Sequence, residues 1–205
     1  MKKFLIAMLA AIFFVTPAIT FAEEGDEEEI NVPTTVFTWI QSTPRGNYYF
    51  NHQQICYAKN EDGTLDLNIL IVPTLCTYDN IQIEDVQQKR RMRGQSMKGY
   101  DDLVGRADYL RFDLKNNTVQ ITERVDLDST FSPLSSDKSG EPVELSTLPK
   151  NGIACKFYRG IIKWAKNHGD LILQHSRGIL SEEDLNLEEE DFPLAKFEFP
   201  NDDEE

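Results

Sequence analysis

Five basic side chains crowd the stretch "KRRMRGQSMK": Lys89, Arg90, Arg91, Arg93 and Lys98. The whole chain has 21 Lys and Arg against 35 Asp and Glu, so this density is a local exception. Wound into a helix, Arg90 and Arg93 lie on one side, with Lys89 about one turn before Arg93. The chemistry such a patch supports is docking of an anionic partner, a sulfated glycan or an acidic protein surface. The plainer reading is a solvated segment held by the protein's own acids. Nearby, Asp101, Asp102 and Asp108 would suit acid–base chemistry if they met in a cleft, and otherwise belong to a solvated surface.

Motifs for other chemistry are missing. His52, His168 and His175 are scattered, and no His-x-x-x-His, Cys-x-x-Cys or calcium-loop spacing joins them to other ligands. No Gly-rich loop follows a strand to cradle phosphate, and no Gly-x-Ser-x-Gly elbow presents a serine. The reading is therefore of a protein without catalytic residues, metal or cofactor. "WIQSTPRGNYYF" (Trp39 to Phe50) raises a different prospect, because four aromatic rings around a Pro-Arg-Gly turn would stack on a flat ligand. Paired strands give the same rings a core to enter, and the core reading is preferred.

The elements that must position these groups follow from period and punctuation. "TTVFTWIQST" and "NYYFNHQQICYAK" read as strands joined at Pro44-Arg45-Gly46. Asp62-Gly63 in "NEDGT" signals a hairpin into "LDLNILIV", with Pro73 ending that strand or marking an edge. "IQIEDVQQKRRMRGQSMKGYDD" reads as a short helix ending at Gly94 or as a loop. "ADYLRFDL" and "TVQITERVDL" alternate as a second hairpin around "KNN". "NGIACKFYRGIIKWAKNH" changes to helical period, with Ile153, Phe157, Ile161, Trp164 and Ala165 on one stripe and Gly160 placed for close approach to a sheet. "DLILQHS" and "LAKFEF" read as strand candidates, and "SEEDLNLEEE" as a capped helical turn. The class expected is α+β: a curved antiparallel sheet of about five or six strands with one main C-terminal amphipathic helix packed on it.

At the N-terminus, Lys2 and Lys3 precede the apolar run "FLIAMLAAIFFV", Pro17 breaks it, and small residues occupy Thr20 and Ala22. This is the pattern of a secretory signal peptide over residues 1–22, an uncleaved anchor being the alternative. Residues 23–33 read as an acidic linker, 34–180 as a single domain and 181–205 as an acidic tail. The acid excess, a formal charge of −14, argues against nucleic acid and against general attachment to anionic lipid. No membrane span is expected after cleavage, and a homodimer is left open. Export permits one disulfide among Cys56, Cys76 and Cys155. If the hairpin turns at Asp62-Gly63, Cys56 and Cys76 lie far apart along the sheet, so a helix-to-sheet bond from Cys155 is expected, with Cys76 the preferred partner.

With the elements in place, "TWIQSTPRGNYYFNHQQICYAK", "DYLRFDLKNNTVQI" and "STLPKNGIACKFYRGII" resemble, in order, the motifs of surface-adhesin E-like domains of exported bacterial proteins. The resemblance covers about Val36 to His168 and implies a curved antiparallel sheet with a C-terminal helix on its concave face. It also implies adhesion to host proteins. The chain departs from the pattern at Leu148-Pro149-Lys150-Asn151, where the family has Ile-Pro-x-Ser, and in its basic insert. The expected function is therefore binding or adhesion in the periplasm, at the cell surface or outside the cell, to an anionic glycan or a host or envelope protein. An exported hydrolase with a carboxylate site, or a structural accessory of the envelope, are the alternatives.

Overall fold

A computed structural model describes residues 30–138 and 140–200; the leader and most of the acidic linker lie outside them. β-Branched and aromatic runs become strands β1 (Phe37–Thr43), β2 (Gly46–Asn51), β3 (Cys56–Lys59) and β4 (Leu65–Tyr78). After helix α1 (Asn80–Met92) come β5 (Leu103–Asp113), β6 (Thr118–Asp128), β7 (Pro133–Lys138) and β8 (Val143–Glu144). Helices α2 (Ile153–Lys166), α3 (Gly169–His175) and α4 (Pro193–Lys196) complete the fold. The α+β class is as expected, but the sheet has eight strands, and α1 at 13 residues rivals α2 at 14, so no single helix dominates.

The strands form one open antiparallel sheet in the order β1-β2-β4-β5-β6-β7, with β3 also against β4 and β8 also against β6. β4 is its spine. Along one edge it pairs first with β3, as far as Ile71, and then with β2, from Thr74 onward. Neither partner registers against Val72 or Pro73 on that edge, so the missing proline donor falls where one neighbour hands over to the next. That is why the strand runs through Pro73 instead of ending there. The register shifts at a bulge between Tyr57 and Ala58, which sets Cys56 opposite Ile71, and Cys76 lies farther along β4 opposite Tyr48.

Alternation then divides the side chains between two faces. One face carries Phe50, Leu70, Val72, Leu110, Phe112 and Val119, and α2 lies across it. Phe157 meets Tyr48 edge-on at 5.6 Å, Trp164 meets Phe50 at 5.0 Å, and Tyr158 meets Phe112 at 5.7 Å. Gly160 faces Ile40 of β1 so closely that an added Cβ would lie 2.6 Å from Ile40 Cγ2, the close approach its position in the stripe suggested. Ile153 is 49 % exposed, so the buried stripe starts at Cys155. Of the four rings around the Pro44-Arg45-Gly46 turn, Phe50 is fully buried and Tyr48 packs beside it. Tyr49 joins a small cluster on the other face, and Trp39 is 56 % exposed.

Three corrections concern the chain after α2. "DLILQHS" is α3, whose C-cap Ser176 is buried; its hydroxyl donates to the Ile172 carbonyl and accepts from the Tyr57 amide at 2.8 Å. The chain then bridges to the first hairpin, the Leu65 amide donating to the Ile179 carbonyl. Residues 181–205 are not simply a solvated tail: Phe192, Leu194, Phe197 and Phe199 are buried in the main core, and Lys166 Nζ donates to the Phe197 carbonyl. "LAKFEF" supplies this anchor as α4 and an extended end, not as a strand. "SEEDLNLEEE" does form a short 3-10 turn, with Ser181 Oγ accepting from the Asp184 amide.

Candidate binding sites on the two faces of the sheet

The basic segment is helical to Met92, with Asp79 as its N-cap and a left-handed Gly94 just beyond. Its cations have different surroundings. Arg90 is turned inward, its guanidinium 3.9 Å from the Tyr100 ring centroid and 3.9 Å from Asp126, and it donates to the Ser96 carbonyl. Lys89 pairs with Asp85 one turn earlier, and Arg91 donates to Gln87. Arg93 and Lys98 are exposed. The three carboxylates do not converge: Asp101 and Asp102 are exposed, Asp102 capping Ser129, while Asp108 is buried among arginines.

Among the described residues, none from a helix joins the apolar cluster on the face of the sheet away from α2, and part of that face is hollow. Phe37, Leu75, Ala107, Val125, Leu127 and Phe131 line a cavity of about 730 Å³. Its rim carries a few polar groups, among them Asn51, Gln54, Glu123 and Ser136. Phe131 forms a wall from an unusual backbone position, φ +59°, which a bulky residue rarely adopts. The Asp128 carboxylate fixes that turn by accepting from the Thr130 amide and hydroxyl and from the Ser132 amide. Strain of this kind, of order 1–3 kcal/mol, persists only where the surroundings over-determine it.

The α2 face holds a polar lane beyond the helix's first turn. Alternation places Cys76 of β4, Arg106 and Asp108 of β5, and Arg124 and Asp126 of β6 on this side. Arg124 clasps Asp108 through Nε at 2.7 Å and Nη2 at 3.2 Å. Arg106 Nε lies 3.2 Å from the same carboxylate but is not aligned for a hydrogen bond. Burial is the largest influence on Arg106 and works against its charge, but Asp108 and, to a lesser extent, Tyr78, Cys76 and Tyr48 together carry its pKa above the ordinary value. Burial pushes the Cys76 thiol up to about 11, with Arg106 only partly offsetting it. Burial likewise raises Tyr48 and Tyr158. Tyr100 rises to about 12, through burial and then through its bond to Asp126. At neutral pH, then, Cys76 is a thiol, not the thiolate a nucleophile requires.

All three cysteines are free thiols, so the expected Cys76–Cys155 bond does not form. Cys76 opens onto a cavity whose helix wall is Ile153, Ala154, Phe157 and Tyr158; Cys155 is outside that lining, fully buried and approached by Arg159. Among the described residues no group of three or more His, Cys, Asp or Glu is placed to hold a metal ion, and no helix is long and apolar enough to cross a membrane.

No protein-family model, curated protein or solved structure matches the chain. The likeness to surface-adhesin E-like domains rests on the short motifs quoted above.

Proposed function

We propose that this is an exported, non-enzymatic binding protein of the bacterial envelope or cell surface, and that it takes a small apolar ligand in the hollow on the open face of its sheet. The observation that carries the reading is the hollow itself. Its volume, about 730 Å³, lies in the range of small-molecule sites, and it combines apolar walls with few polar groups. The protonated Cys76 thiol and the dispersed carboxylates favour binding over catalysis. Export rests on the leader pattern, which lies outside the described residues. The basic helix is a less apt binding surface, since Arg90 is spent on internal contacts.

The test uses a neutral apolar fluorophore, Nile red. Saturable enhancement of its emission by the full chain is expected, and Ala107→Trp, which fills the hollow from its floor, should weaken binding by at least about tenfold, or 1.4 kcal/mol. Undiminished binding by a folded Ala107→Trp variant would rule the site out.

A further inference from the structure

The polar lane carries an inference independent of the hollow, on the opposite face. Three guanidiniums, Arg90, Arg106 and Arg124, meet two carboxylates, Asp108 and Asp126. Asp137 of β7 registers opposite Arg124 on the same side but is exposed, so among the close ion pairs of the lane one guanidinium is left short of a carboxylate. The guanidinium left short is Arg106. Arg90 has the Tyr100 ring, Asp126 and the Ser96 carbonyl; Arg124 has both oxygens of Asp108. Asp126, opposite Arg106 across the strands, is taken up by Tyr100 and Ser135 at 2.6 and 3.2 Å. Arg106 keeps one unaligned contact with Asp108, and its Nε is buried without an acceptor. Leaving that nitrogen buried and unpaired is costly, while the side chain as a whole keeps 29 % exposure and lines the cavity, open to an incoming acceptor.

Beside Arg106 is a cavity of about 310 Å³. Arg106 and Arg124 share its lining with the phenols of Tyr48 and Tyr158 and with an apolar wall of Leu110, Ile121, Ile153 and Phe157. A planar carboxylate matches a guanidinium fork, and a short apolar body matches the wall.

We propose that this cavity binds a small monocarboxylate with an apolar body, its carboxylate on Arg106 and Arg124, its body over Leu110, Ile121 and Phe157. The anion supplies the acceptor that Arg106 lacks, and Tyr48 and Tyr158 stand beside it in the lining.

Calorimetric titration of the full chain with phenylacetate tests this, beside its neutral counterpart phenylacetamide and inorganic phosphate. Saturable one-to-one binding of phenylacetate is expected, at least about tenfold tighter than the amide, as charge-assisted bonds require. Arg106→Gln should abolish that preference for the acid. Should that variant not fold, Ile153→Trp, an exposed position at the cavity wall, blocks the body of the ligand without touching the charges and should cost a similar factor. Nile red binding should be unchanged in both folded variants, which separates this site from the hollow. Equal affinity for acid and amide, competition by equimolar phosphate, unaltered binding in folded Arg106→Gln or Ile153→Trp, or no binding of phenylacetate would each overturn the proposal.

Discussion

Cys76 shows how position, not residue type, sets chemistry. Its thiol is 7 % exposed, and burial holds its pKa at about 11 instead of 9.0. Between those values the folded protein keeps a proton that the unfolded chain has lost. The stabilisation is therefore complete below about pH 9 and disappears as pH rises through about 11, amounting to roughly 2–3 kcal/mol. Urea unfolding of the protein and of Cys76→Ala at pH 8 and pH 11 checks this: the wild type should lose more stability over that interval, and parallel losses would refute the assignment. Tyr57, which burial raises to about 12, adds a loss of the same sign at higher pH in both proteins. Little at this scale could be read from sequence. Asp108 was recognisable as a carboxylate of interest, but its arginines lie two residues before it and on the neighbouring strand, and only the β5–β6 register brings them together. The hollow was less accessible still, since its walls come from β1, β4, β5, β6 and the loop at Phe131.

At the scale of elements, local signals worked where turn chemistry and period agreed. The Asp62-Gly63 turn, the hairpin between β5 and β6 and the amphipathic α2 stand as read. They failed where composition was ambiguous. The apolar run of α3 is too short to separate helix from strand by period, and the acids around Phe192, Leu194, Phe197 and Phe199 disguise an anchor as a tail. Two glycines mark where elements touch. In an exposed helix, Gly160→Ala would stabilise by about 1 kcal/mol. Here the new methyl meets Ile40, so a net loss of about 1–2 kcal/mol is expected on thermal denaturation, and a gain would mean that α2 sits farther from β1 than described. Gly105→Ala should cost more, because its Cβ would lie 2.3 Å from the Cys76 carbonyl oxygen, and backbone in a paired strand cannot move aside as a side chain can.

For the whole molecule, the core is closed from both ends of the described chain. The first strands build one wall, and Phe192, Leu194, Phe197 and Phe199 join the same core as α2, with Arg159 set 5.3 Å from the Phe199 ring. Burying such side chains is worth about 1.5–3 kcal/mol each, so the four together rival the stability of an ordinary domain. Deleting residues 192–205 should accordingly abolish the cooperative thermal transition followed by circular dichroism; a sharp transition near the wild-type midpoint would show the anchor to be dispensable.

The chain's two tryptophans sit in contrasting places, and this makes the protein its own optical probe. Trp39 is largely in water, whereas Trp164 is sandwiched between Phe50 and the ring of His168, which lies parallel to it at 4.0 Å. With Trp39 replaced by Phe, the remaining indole emission would come only from the seam between α2 and the sheet. Detachment of that helix, by denaturant or by a ligand wedged beneath its first turn, would then register as a change in colour and brightness, with no label attached.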